Sequence, residues 1–552
     1  MKSLPVAARF DRAKSGQLHG QDGILSPSRE SEPMTWKPWQ QAALLAGITF
    51  AAFSATLSAD FVYDARMQIL TGDFIHDWRN WPAVLSGRVL GMDVLDFNRP
   101  AMLASLMVDA ALWGRNPFGY HLTSVLVHVI NVLLVWLVIR EVSGVAGRPD
   151  KAIAPLLASL VFAIHPVVTE AVCEPTFRED LLVTLFTLSA LVLAMRHDPA
   201  TAGFDTRRAL GCTALCLLAI ASKEAGIVAP LLLAASWWLF RRGEPGRFWA
   251  VAIGGATLVV VAFLAARFLL EPDASSIFES KPEYPGGSLS QAMLLEPRIL
   301  ALYAQLILFP VNLCADYGLT SVSHLPLPLA LVLLTAIAVA GAMAARHDRR
   351  LLFASCLVLL PLVPVANLVP IYRPAADRYL YLPTAGVAVV VGCLLDAPWL
   401  AGREQLRQRI LAGCMAAIAV LGMACVERQT VWADSLALWD DAFRKNPGSY
   451  TNAAGLGEAL RAAGRLPEAE QLTREAIRLS NGRRGDAWAT LALILDAEGR
   501  GSDAAAALAR ALEIDPALSD PDTKVKSLAM ERPMAEDLKR LLGGIGAGWP
   551  PR

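Results

Sequence analysis

Residues 120–140 read YHLTSVLVHVINVLLVWLVIR, an apolar run whose one full charge is the terminal Arg140. At about 1.5 Å per helical residue, such a run matches a hydrocarbon core of roughly 30 Å. Comparable runs lie at about 40–58, 152–164, 180–195, 208–222, 225–240, 248–270, 326–345, 351–369, 380–396 and 409–425. About 11 spans are therefore expected, and an all-α polytopic transmembrane helix bundle. Composition agrees. Of 552 residues 55% are hydrophobic and 18% charged, whereas a soluble domain carries about a quarter charged residues. The excess is spread over too many blocks for one core to absorb. A disordered chain, a secreted disulfide scaffold and a simple soluble enzyme are excluded.

Charge gives topology and not a polyanion partner. Lys plus Arg (50) equals Asp plus Glu (50), so no net field points to nucleic acid. Cations crowd one set of loops: Arg140, Arg148 and Lys151; Arg196, Arg207 and Arg208; Arg241, Arg242 and Arg247; Arg346, Arg349 and Arg350; Arg403, Arg407 and Arg409. Placing that set in the cytoplasm puts the long loop 59–119 outside, and an odd span count puts the chain after Glu427 outside too. Residues 1–39 are polar and read as a flexible cytoplasmic tail. The membrane domain then covers 40–426. Two external stretches, 101–113 and 297–313, read either as amphipathic helices along the membrane surface or as short, tilted spans.

From Glu427 the composition is that of a soluble helical domain. The segment DAWATLALILDAEGRGSDAAAALARALEIDP (486–516) places Trp488, Leu491, Leu495, Gly499, Ala504, Leu508, Ala511 and Pro516 on the tetratricopeptide template of about 34 residues. Leu456, Gly457, Leu460, Gly464, Ala469 and Ala476 repeat those offsets upstream, and a partial unit with Trp439 and Pro447 precedes them. So few units need a cap, expected near 534–542, or a membrane domain to dock on. Residues 427–552 thus read as an external repeat domain that presents a face to proteins.

Ionisable residues at membrane spans are costly and mark function. On the external side they converge from five or more segments: Asp60 and Asp64; Arg99; His121 and His128; His165, Glu170, Arg178, Glu179 and Asp180; Lys223 and Glu224; Asp377 and Arg378, beside Tyr379 and Tyr381. His128 with Asn131 fits a hydrogen bond between spans. The rest fit a site with cations for a phosphate and a carboxylate for proton abstraction. The eight cysteines form no CxxC pair and lie mostly in apolar runs. With no HxxxH on an external helix, no metal is expected. No GxxxxGK[ST] loop is present, so ATP is not expected as an energy source.

Several of these stretches resemble the transmembrane-and-tetratricopeptide family of protein O-mannosyltransferases: Phe61-Val62-Tyr63-Asp64, Asn98-Arg99-Pro100, Asn116 to His121, His128 to Asn131, Phe162 to Pro166 with Thr169 to Val172, Arg178, Ser222-Lys223-Glu224, Asn367, and Asp377 to Pro383. The resemblance covers roughly residues 40–515. It implies a GT-C glycosyltransferase fold that takes a sugar, mannose by the family name, from a polyprenyl-phosphate carrier to a protein hydroxyl outside the cytoplasm. No cofactor is implied beyond that lipid-linked donor. Asp64 matches the family's catalytic carboxylate and takes the role of general base; Arg178, Lys223 and Arg378 are implied candidates for the lipid phosphate, and Arg99, His121, His165, Glu170, Glu224, Asp377 and Tyr381 for lipid phosphate or sugar. Two positions depart from the family pattern: Ala65 stands where a second Asp is usual, and Ser124 where Asn is common. A catalytically inactive, membrane-anchored scaffold for protein partners is the alternative that Ala65 leaves open. The absence of retention signals, including at the terminal Trp549-Pro550-Pro551-Arg552, fits a bacterial inner membrane with the repeats in the periplasm.

Overall fold

The computed structural model describes residues 37–92, 94–145, 153–197, 205–243, 246–270, 283–318, 322, 325–526 and 530–546. The expected tail 1–39 lies outside them except for its last residues, as do the loop cations Arg148 and Lys151 and the C-terminal Trp549 to Arg552. All regular secondary structure among the described residues is helical. The longer helices are α1 (Pro38–Ala52), α2 (Pro100–Trp113), α3 (Pro117–Val145), α4 (Ile153–Ala163), α5 (Arg178–Met195), α6 (Thr206–Ser222), α7 (Ala229–Ser236), α8 (Arg247–Leu270), α9 (Leu289–Leu308), α10 (Leu327–His347), α11 (Arg349–Leu359), α12 (Tyr381–Leu395) and α13 (Glu404–Val431). Six more follow: α14 (Ser435–Lys445), α15 (Tyr450–Ala462), α16 (Leu466–Leu479), α17 (Gly485–Ala497), α18 (Gly501–Ile514) and α19 (Arg532–Gly546). Their starts are written locally. Proline opens α1, α2 and α3, where a missing N–H costs nothing. Ser288, Asp348, Asp434 and Ser449 cap α9, α11, α14 and α15 through their side chains.

All eleven expected spans are helical, but they do not all have the length of a span. Among the described residues five helices are long and apolar enough to cross a membrane, and the number is seven if each of the two pairs bent at breaks after Ala52 and Ala163 is one span. The other four fall short for visible reasons. Helix α5 opens on Arg178, Glu179 and Asp180, and α6 has 17 residues. The stretch 225–240 is split into a 3-10 turn, the eight residues of α7 and a π turn. The stretch 351–369 becomes a 3-10 helix after α11, where Pro361 and Pro364 stand.

Burial sorts the spans. The window in the α12 span is 78% buried, those in α10 and α13 only 6%. Leu329, Val332, Ile337, Val339 and Met343 of α10 stand exposed, an apolar face that suits lipid and not water. With the apolar bundle behind it, the chain is a multi-pass membrane protein. Helix α2, over the expected stretch 101–113, buries Met102, Leu103, Leu106 and Met107 in a separate core with Phe61, Ile69, Ile75 and Val89, while Leu112 stays exposed.

The compositional boundary at Glu427 falls inside α13, which continues to Val431 before the chain turns at 432–434. Composition marks where that helix leaves apolar surroundings, not where it ends. Beyond it, α14 to α18 pack each on the next, and Leu538 and Leu541 of α19 close the core of α17 and α18, as the expected cap. The tail docks on the loop after α9. The Asn446 side chain donates to the Tyr317 carbonyl at 2.6 Å, Ser449 Oγ to Asp316 at 2.6 Å, and Lys445 Nζ to the Leu313 carbonyl at 2.7 Å.

Candidate active site

The turn that follows α1 is a folded element. After α1 the chain makes a 3-10 turn at Ser54–Ser58, and the Asp60 N–H donates to the Ala433 carbonyl at 2.9 Å. Tyr63 adopts a positive φ of 50°, a left-handed conformation that costs a non-glycine residue about 1 kcal/mol. Such strain persists where the surroundings over-determine it, and it gathers at functional sites. Asp64 comes next. Its half-buried carboxylate has no hydrogen bond or ion pair among the described residues. The charges that act on it most strongly are Arg378 and Arg373, followed by Glu179 and Arg99.

Glu174 fixes the turn from beneath. One carboxyl oxygen accepts from the Ala65 N–H at 3.0 Å and from Thr176 Oγ1 at 2.6 Å, while the other is buried without a partner. Burial holds the Glu174 carboxyl well above the usual carboxylate range; Asp64 adds to that and the Thr176 bonds oppose it. Burial thus favours the neutral form of Glu174 as it supports the Asp64 backbone through the Ala65 N–H.

Two ion clusters flank Asp64. In one, Arg378 gives its backbone N–H and Nη1 to the Glu170 carboxylate at 2.8 and 2.5 Å, with its guanidinium 4.0 Å from the Phe177 ring centre. Arg373 pairs with Asp316 at 2.7 Å, and the Tyr317 hydroxyl donates to Asp377. Arg378 and Arg373 each retain N–H groups without a hydrogen bond among the described residues. In the other cluster Arg99 meets Asp96 at 2.6 Å, Glu179, and Glu224 at 3.4 Å. Lys223 meets Glu179 at 3.0 Å and Asp180 at 2.5 Å. Burial pushes the Asp96 carboxyl up to about 6, against the pull of Arg99. Gly226 makes the placement of Lys223 and Glu224 possible, because a Cβ there would lie 2.4 Å from the backbone of α6. The Tyr379 ring joins the clusters, 5.2 Å from Lys223 Nζ and 5.1 Å from Arg378 Cζ.

Seven residues expected from sequence therefore meet here: Asp64, Arg99, Glu170, Lys223, Glu224, Asp377 and Arg378. Four do not. Arg178 is fully enclosed. It pairs with Asp109 at 2.6 Å and bonds Ser124, Ser105 and the Tyr120 carbonyl, so it ties α5 to α2 and α3 and offers no face to a phosphate. His165 caps a 3-10 turn and bonds the Ile307 carbonyl at 2.9 Å. His121 is buried, its ring 6.4 Å from that of Phe61. The Tyr381 hydroxyl joins His128 at 2.6 Å and Asn131 at 3.1 Å in a buried knot between helices, the arrangement expected of His128 and Asn131. Sequence reading did not single out Arg373, Asp316, Glu174 or Asp96. Glu174 carried one local signal, since Glu-Pro-Thr is a helix start whose capping side chain turns inward. The others join the site only through space. Among the described residues, no group of three or more His, Cys, Asp or Glu is placed to hold a metal.

No family model matches the chain. Its curated relatives are protein O-mannosyl-transferases. One from Caenorhabditis elegans is 24% identical over 452 residues, 79% of this chain and 62% of that protein. Tmtc1 of Drosophila melanogaster is 23% identical, over 77% of this chain and 60% of that protein. TMTC3 of Homo sapiens is 24% identical, over 64% and 42%. The chain thus spans about three-fifths or less of the length of these relatives. Among solved structures, ArnT from Cupriavidus metallidurans bound to undecaprenyl phosphate aligns over 93% of this chain and 90% of its own, at 16% identity and a TM-score of 0.40.

Proposed function

We propose that the chain is a membrane glycosyltransferase that moves a sugar, mannose by the names of its relatives, from a polyprenyl-phosphate carrier to a protein hydroxyl on the non-cytoplasmic face. The single observation that carries this reading is the unpaired Asp64 carboxylate, flanked by Arg378 and Arg373 with N–H groups to spare. In the proposed step the acceptor hydroxyl gives its proton to Asp64 as its oxygen bonds to the anomeric carbon. The bond from that carbon to the carrier phosphate breaks, and its electron pair leaves on the phosphate oxygen. Polyprenyl phosphate departs as an anion, so the leaving group needs cations and no acid. Arg378 and Arg373 stabilise it, and Lys223 holds the neighbouring carboxylates away from it. No cofactor beyond the lipid-linked donor is used.

In the same reading the bundle is of GT-C type, α14 to α19 are tetratricopeptide units that hold the protein acceptor, and the membrane is a bacterial inner membrane with those units in the periplasm. Membranes that contain the full chain, given polyprenyl-phosphate-[3H]mannose, are expected to label protein. Asp64→Asn is expected to reduce labelling by about a thousandfold or more with the protein still present in the membrane. Undiminished labelling by that variant sinks the assignment of Asp64. Ala65 supports one other reading, an inactive scaffold, which predicts no labelling by the parent chain and partners retained by residues 427–552 in the full-length protein.

A further inference from the structure

The strained residue before Asp64 is held by a ring from the far end of the chain. Tyr63 has Phe177 edge-on at 5.6 Å, and the Arg373 guanidinium lies over its ring at 5.6 Å. Its stacked neighbour is Trp439 of α14, with ring centres 5.3 Å apart and planes inclined by 24°. That indole has a prepared seat. A Cβ at Gly455 of α15 would lie 2.4 Å from the Trp439 ring, so the glycine lets the indole lie flat on the helix backbone. The same two helices also hold the second contact of the tail with this site. Ser449, the cap of α15, binds Asp316, and Asp316 binds Arg373. The first helix pair of the tail thus grips both the residue preceding Asp64 and one of the two cations facing it.

We propose that Trp439 is a positioning residue for sugar transfer: seated on Gly455 and stacked on Tyr63, it maintains the left-handed turn that aims the Asp64 carboxylate. The inference rests on the reading of Asp64 as the reacting carboxylate. It also gives the tail a part in the chemistry beyond holding an acceptor. A stacked aromatic pair contributes about 0.5–1.5 kcal/mol beyond its buried area. That is comparable to the cost of the Tyr63 conformation, so removing the ring loosens the turn while Glu174 still holds the Ala65 N–H. Small misplacements of a reacting group are costly in rate and leave binding of a distant lipid tail untouched.

The test uses the full-length protein in detergent with polyprenyl-phosphate-mannose and the protein acceptor found by labelling. Trp439→Ala is expected to lower kcat about tenfold or more with the donor KM within about twofold. Trp439→Phe, which keeps a stacking ring, restores at least about half of kcat. Gly455→Ala, which displaces the indole, gives the same split to a smaller degree. Trp399→Ala, the same truncation at an exposed tryptophan in the 3-10 turn between α12 and α13, leaves both constants unchanged. A kcat unchanged in Trp439→Ala, an equal fall in Trp399→Ala, or a Phe variant no better than Ala overturns the proposal. If Trp439→Ala does not reach the membrane, Gly455→Ala against Trp399→Ala decides by the same criteria. Hydrogen exchange of the peptide containing Tyr63 to Arg66 gives an independent reading. Faster exchange in Trp439→Ala, absent in Trp399→Ala, supports the positioning role, and exchange equal to the parent overturns it. A parent chain that transfers no sugar defeats the glycosyltransferase reading, while the exchange measurement still decides whether Trp439 holds the turn.

Discussion

Arg178 and Arg378 are both arginines paired with a buried carboxylate, Arg178 at the first residue of α5 and Arg378 in the 3-10 turn Asp377–Leu380 that leads into α12. Around Arg178, Asp109, Ser105, Ser124 and a main-chain carbonyl take up the whole guanidinium, and no surface remains. Around Arg378, Glu170 takes the backbone N–H and Nη1, two aromatic ring centres lie 4.0 and 5.1 Å from Cζ, and the charge acts more strongly than any other on the unpaired Asp64 carboxylate. A charge that is fully satisfied binds the protein to itself. A charge that is half satisfied is oriented by the protein and left with something to do.

The largest expected effect tests the closed side. Arg178→Ala strands Asp109 in the bundle, at a cost of about 3–5 kcal/mol. The amount of folded protein in membranes should collapse, with the transfer rate per folded molecule within about twofold of the parent. Replacing both partners, Arg178→Met with Asp109→Leu, should recover most of that amount, because a buried ion pair exchanged for apolar side chains is often neutral. Recovery of amount without recovery of transfer would move Arg178 to the reactive side of the comparison.

The open side is tested next. Arg378→Lys keeps a cation near Glu170 but loses the planar fork, and the rate should fall about 10–100-fold with little loss of folded protein. The measurement is labelled-sugar transfer normalised to protein quantified in the membrane. A fall in amount as steep as that of Arg178→Ala would show the two arginines to be alike.

The smallest effect concerns Asp96, 16% exposed beside Arg99. Its folded carboxyl titrates at about 6, whereas in an unfolded chain it titrates near about 3.9. Between those values the native state keeps a proton that the unfolded chain has released. This contribution is therefore fully present below about pH 4 and lost as pH rises through about 6. Asp96→Asn should flatten the decline in apparent melting temperature over that window, by the equivalent of about 1–2 kcal/mol. An unchanged slope removes Asp96 from the pH dependence.

Much of the bundle was legible because apolar runs must be helical in lipid, and every run identified is helical over most of its length, though 225–240 and 351–369 are broken. Span length was less legible. Glu179 and Asp180 open α5 inside an apolar stretch, and nothing in the order of residues says whether such a helix crosses or stops. The charged boundary was also visible, since carboxylates and cations beside apolar runs are expensive wherever they fold. The partition within it was not. Spacing cannot tell that Asp109 rises from α2 to close over Arg178, or that Tyr381 turns to His128 while its neighbour Arg378 turns to Glu170. Trp439 was visible as part of a repeat unit, and its seat on Tyr63 emerges only when the tail folds back across the loop after α9.

The joint between tail and membrane domain is read largely through main-chain atoms. Lys445, Asn446 and Asn452 bind the carbonyls of Leu313, Asp316 and Tyr317. Carbonyls are present whatever the side chains are, so this part of the grip constrains the length of the stretch and not its composition. Composition is constrained separately: Leu313, Cys314 and Ala315 are buried, Cys314 Sγ meets the Ala442 carbonyl, and the Asp316 and Tyr317 side chains have their own partners. A single inserted or deleted residue, by contrast, shifts the whole ladder of acceptors out of step with the three side chains that grip it.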